Sequence, residues 1–207
     1  MPYFKNNTTN TLFIHIPKTG GSSIENYLSN FYNVKLDKNS LVSRNQESFE
    51  RCSLQHLDLS TIMNHVNIFK VVPNNLFIFT VVRNPYDRFM SALFYHNLIH
   101  PEMTTKEILE AAKNCIVNID EYNLRFDQHF RPQYRYIDEK YNVKILHTET
   151  LKQDMIKLGF NNFLLNSNRN KHKIKDYSQY LFPELIQLVN EYYKKDFETF
   201  NYPMKQL

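Results

Sequence analysis

Short apolar runs, each followed by a turn and a helical period, set the plan of this chain. Leu12 to Ile16 is apolar and rich in β-branched residues. It predicts a buried strand that Pro17 ends, because proline cannot donate to a sheet ladder. After Gly21 the residues Ile24, Tyr27, Leu28 and Phe31 fall on one helix face, with Ser22 or Ser23 as the expected N-cap. Leu76 to Val82 is a continuous apolar run and predicts a central strand covered on both faces. Pro85 follows, and Phe89, Leu93 and Phe94 then recur at helical spacing.

Weaker signals complete the plan. Thr104 and Glu107 read as a capping box for a helix over 106–113, and 120–127 is a second helical stretch. Val143 to His147 predicts a short strand, and 149–158 a helix that Gly159 stops. Leu185, Leu188, Val189 and Tyr192 give an amphipathic helix over 183–200. Residues 1–10 are polar and read as a mobile lead-in, 33–53 as an irregular surface excursion, and 166–175 as a basic loop.

Composition narrows the function classes. With 207 residues, 42% hydrophobic and 14% aromatic, the chain is a single domain over 1–207 that buries a core without disulfides or metals. It shows no apolar run near the ~20 residues of a membrane span and no leader peptide, so the expectation is a cytoplasmic or soluble protein, or an excised domain. Cys52 and Cys115 lack metal-site or disulfide-framework spacing. A net charge of +4 suits an anionic ligand and is too mild to mark a nucleic-acid binder.

The chemistry concentrates where the first strand ends. Only three glycines occur in the chain, and two are the adjacent Gly20 and Gly21. That pair lets the backbone curl so that successive N–H groups face one concavity at the positive end of the new helix. Lys18, Thr19, Ser22 and Ser23 add charge and hydroxyl donors around it. The lysine precedes the glycines, whereas a Walker loop places it after the last one. Arg83 falls at the carboxyl end of the second strand, where open α/β sheets bind ligands, and Ser91 follows two helical turns later.

Taken together, residues 13–23, 79–95, 129–133 and 192–202 resemble the sulfotransferases that use 3′-phosphoadenosine 5′-phosphosulfate (PAPS), most closely the carbohydrate, heparan-sulfate-2-O-type branch. The resemblance implies a three-layer, P-loop-like α/β fold with a central, mainly parallel sheet flanked by helices. It implies PAPS as donor, 3′-phosphoadenosine 5′-phosphate (PAP) as product, no metal requirement, and a hydroxyl-bearing acceptor, a glycan or a small molecule. Lys18, Thr19, Gly20, Gly21, Ser22 and Ser23 then hold the 5′-phosphosulfate, with Lys18 also catalytic. Arg83 and Ser91 hold the 3′-phosphate. Lys171 and Lys173 belong to a candidate donor-covering loop. His56 is the expected general base, with His65, Glu25 and Glu50 as alternatives. A P-loop kinase and a noncatalytic nucleotide- or glycan-binding module are the competing classes.

Overall fold

The computed structural model describes residues 1–6, 9–36, 41, 53–116, 126–164, 174 and 176–207. Among them are four strands, β1 (Tyr3–Lys5), β2 (Asn10–Ile14), β3 (Phe77–Val82) and β4 (Val143–His147), forming one sheet in the order β1-β2-β3-β4. β1 runs antiparallel to β2, whereas β2, β3 and β4 are mutually parallel. The fold is therefore α/β with a mainly parallel sheet. Ile14 pairs with Thr80, and Val82 with His147. This register gathers the segments that follow β2, β3 and β4 along one edge of the sheet, the edge where such folds place ligands.

Side-chain alternation explains the layers. Leu12, Ile14, Ile78 and Val82 point to one face, where Leu59 and Ile62 of α2 (Leu59–Asn64) cover them. Phe13, Phe79 and Val81 point to the other, against Ile24 and Leu28 of α1 (Gly21–Tyr32). A short α3 (Val66–Phe69) follows α2. The next helices are α4 (Pro85–Tyr95), α5 (Thr105–Ile116) and, beyond β4, α6 (Leu151–Lys157), whose Leu151 and Met155 join α1 on its face of the sheet. The last two are α7 (Pro183–Tyr192) and α8 (Lys194–Phe200). Phe89 and Leu93 of α4 pack with Ile108 of α5, Leu185 and Val189 of α7, and Phe197 of α8. Full burial of each such side chain contributes roughly 1.5–3 kcal/mol.

Several boundaries differ from the hydrophobic pattern. Residues 1–10 hold β1, whose Phe4 is fully buried, because an apolar side chain on an edge strand has a core to enter. β2 stops at Ile14, since His15 and Ile16 leave the ladder to begin the loop. The last helix breaks at Tyr193, whose hydroxyl donates to the Phe130 carbonyl while Asp196, one turn on, accepts from the Gln133 and Tyr134 amides. The capping box is formed: Thr104 N–H donates to Glu107 at 2.8 Å. Gly159 ends α6 at φ 87. Residues 120–125 of the proposed helical stretch lie outside the described residues, as do Glu50, Cys52, Lys171 and Lys173.

Candidate active site

The segments after β2 and β3, the start of α1 and the later turns of α4 border a cavity of about 480 Å³. Its lining includes Lys18, Gly20, Gly21, Ser22, Ser23, His56, Arg83 and Ser91. Thr19 of the expected set is fully buried behind the loop, where its hydroxyl donates to the Ile16 carbonyl at 2.8 Å.

The loop owes its character to where its carbonyls point. The Pro17 carbonyl accepts from Arg88 Nε at 3.0 Å, the Lys18 carbonyl from Arg83 Nη1 at 3.3 Å, and the Thr19 carbonyl from Thr148 Oγ1 at 2.9 Å. The Gly20 carbonyl accepts from Ser23 N–H at 3.0 Å. In a trans peptide the N–H opposes the C=O, so tying these carbonyls to protein donors turns the amides of residues 18–21 the other way. Lys18 at φ 69 and Gly20 at φ 95 supply the left-handed steps that this curl requires. Neither serine is the N-cap. Gly20 occupies that position and no side chain caps α1, so the positive helix end is left to an anion.

Gly21 is required for a different reason. A Cβ there would sit 2.1 Å from the His15 ring, which lies against the loop and is itself held by Glu25 at 2.7 Å. Glu25, an alternative base in the sequence, is buried behind His15. His65 is bonded to the Thr61 carbonyl at 2.8 Å and is not among the residues that line the cavity.

α4 presents three residues toward the loop at helical spacing. Arg88 is buried and ties Pro17 to the His129 carbonyl, the latter at 3.1 Å; Ser91 lines the cavity; Tyr95 holds the Lys18 ammonium 3.8 Å above its ring. Burial, with Arg83 as a like-charged neighbour second, pulls the Lys18 pKa from 10.5 to about 8. The Arg83 backbone is fixed on both sides by buried Gln133, which accepts from its N–H and donates to its carbonyl, each at 2.9 Å.

His56 is buried, and its Nδ1 lies 2.8 Å from Asp127 Oδ2. Burial pushes the His56 pKa down, while the Asp127 hydrogen bond opposes that shift. Burial raises the Asp127 pKa, but hydrogen bonds from His56 and Ser53 outweigh it and hold the carboxyl below its ordinary value. An ionised carboxylate only accepts, so Nδ1 carries the proton and Nε2 keeps its lone pair. Ser53 clamps Asp127 through its N–H at 2.6 Å and its hydroxyl at 2.7 Å. His129 shares a hydrogen bond with His96 at 2.9 Å. Burial drives both pKa values down, that of His96 to about 4. Asp127, Arg88 and Thr148 carry no local sequence signal, since each acts across a long stretch of chain.

Thr148 also reaches the Val82 carbonyl at 3.1 Å, joining the loop to the end of β3. Thr148→Val removes that hydroxyl at nearly constant volume. The expected result is a several-fold loss of anion affinity with little change in melting temperature, restored by Thr148→Ser. Calorimetry with PAP on the three proteins checks it, and equal affinities would remove the tethering role.

Compared with known proteins, residues 1–203 match a family model described as "Sulfotransferase family". No curated protein and no solved structure gives a significant match.

Proposed function

Since the chain belongs to the sulfotransferase family, we propose that this cavity moves a sulfuryl group from PAPS to a hydroxyl of a carbohydrate acceptor. The observation that carries this reading is the loop over 16–20, with its carbonyls tied back, an uncapped helix end behind it, and Lys18 and Arg83 beside it. These groups fit a donor with two anionic groups, a 5′-phosphosulfate and a 3′-phosphate. The donor supplies an activated sulfuryl group on a good leaving phosphate.

The residues divide the work. The loop amides, Lys18, Ser22 and Ser23 hold the 5′-phosphosulfate, and Arg83 with Ser91 holds the 3′-phosphate. His56 Nε2 takes the proton of the acceptor hydroxyl as its oxygen bonds to sulfur, and Asp127 stabilises the resulting imidazolium. Lys18 offsets charge growing on the bridging oxygen as the old S–O bond breaks. Gln55, Tyr95 and His129 line the same cavity and offer polar and aromatic contacts to a saccharide. Among the described residues no helix is long and apolar enough to cross a membrane.

The test is transfer of labelled sulfate from PAPS to a panel of saccharides in the presence of EDTA. Transfer to at least one supports the reading. Donor binding without transfer to any acceptor moves the chain to the binding-module class.

The lysine pKa gives a pH signature. The free protein holds Lys18 at about 8 instead of 10.5, so between these values the unfolded chain binds more protons. Stability from this group therefore rises with pH across that window. Donor affinity runs the opposite way, because the anion needs the charged amine. PAP affinity falls above pH 8 in wild type by up to about tenfold per unit, and is flatter in Lys18→Met. Parallel pH profiles for the two proteins would contradict this assignment.

A further inference from the structure

Four of the chain's eight histidines, His15, His56, His129 and His96, line up with ring centroids 4.9, 5.3 and 4.6 Å apart. Proton removal uses one of them. We infer that His56, Asp127 and His129 also form a transition-metal site, suited to Zn²⁺, whose occupancy switches off the base.

One nitrogen from each of these rings and one Asp127 oxygen all lie within 4.8 Å of one another. Zinc bonds of about 2.0–2.1 Å place ligands roughly 3.3 Å apart, so a shift on the order of 1 Å closes the set. Two imidazoles and one carboxylate suit Zn²⁺ and its neighbours better than Mg²⁺ or Ca²⁺. Both rings are buried, and Asp127 is anchored by Ser53.

The supporting groups have the form that metal ligation needs. His96 Nε2 and His129 Nδ1 share a hydrogen bond at 2.9 Å; the tautomer in which His129 donates leaves its other nitrogen to ligate. Arg88 fixes the His129 backbone. Asp127 and Glu25 set negative charge beside His56, against the cations Lys18 and Arg88 near His129. A neutral imidazole has one lone pair, so His56 bound to metal through either nitrogen no longer accepts a proton. This consequence for activity rests on the sulfuryl-transfer reading, whereas the binding itself does not.

The test titrates Zn²⁺ into the metal-free full chain without nucleotide, by calorimetry, and repeats it with Co²⁺ by visible absorption. Wild type binds one equivalent. His129→Gln and Asp127→Asn each weaken binding tenfold or more, with circular dichroism unchanged. His100→Ala, which removes the exposed His100–Glu102 pair, leaves binding intact. Absence of one-equivalent binding, binding indifferent to both site variants, or binding lost in His100→Ala would overturn the inference. Transfer activity, measured separately, falls with Zn²⁺ and returns with EDTA. Full activity with the site saturated would overturn the switch while leaving the sulfuryl-transfer reading untouched.

Discussion

Lys18→Ala is expected to lower turnover with saturating donor at least about 100-fold, because in the proposed role its charge is set against the departing oxygen, and such a positioned charge stabilises a transition state by about 3 kcal/mol. The side chain is prepared for that role by its surroundings. It is partly desolvated, rests on Tyr95, and has Arg83 as a cationic neighbour. Solvent competes less with it than with a surface lysine. Tyr95 lies 53% exposed at the mouth, so the ammonium has room to leave the ring for the donor. Lys18→Arg retains charge but not the compact point of it, and recovers only part of the rate. Single-turnover transfer measured on the three proteins decides the matter. Near-normal turnover in Lys18→Ala would end the assignment.

His56→Ala removes the proposed proton acceptor, and the expected result is turnover lowered by about 10²–10⁴ while PAP binding persists. Asp127→Asn keeps the shape, yet an amide can turn its NH₂ toward Nδ1, which forces the proton onto Nε2 and removes the lone pair facing the cavity. The expected loss is of the same order. The double variant loses little beyond either single one, since both changes disable one unit. Additive losses would show that Asp127 acts independently of His56. A role confined to structure predicts instead a lowered melting temperature with turnover per folded molecule preserved. The two singles, the double variant and wild type are compared by donor calorimetry, melting and transfer rate.

How much of this was legible in the sequence depends on the range over which each residue acts. Both strand-turn-helix units were readable, because apolar runs, Pro17, Pro85 and the glycine pair are local signals. Lys18 and Arg83 were placed after the strand ends, and Ser91 two helical turns further on, for the same reason, and the structure brings all three to one cavity. The N-cap was misassigned: a serine before a helix ordinarily caps it, but here left-handed backbone at Lys18 and Gly20 delivers the chain into α1 directly. β1 escaped notice because three residues of mixed polarity have no period. The partners of the site were beyond reach. Asp127 meets His56 across 71 residues of chain, and Thr148 meets Thr19 across 129, pairings that only the tertiary fold creates. Glu25 looked like a possible base from its position on α1, and its burial against His15 reassigns it to holding that ring.

Calorimetric titration of the purified chain with PAP, in EDTA and beside Arg83→Ala, tests the central claim most directly. The account predicts one-site binding to wild type without metal, weakened tenfold or more by Arg83→Ala through loss of a charge-assisted phosphate contact. Absence of PAP binding, with ATP–Mg²⁺ bound in its place, would contradict it and move the chain to phosphoryl transfer.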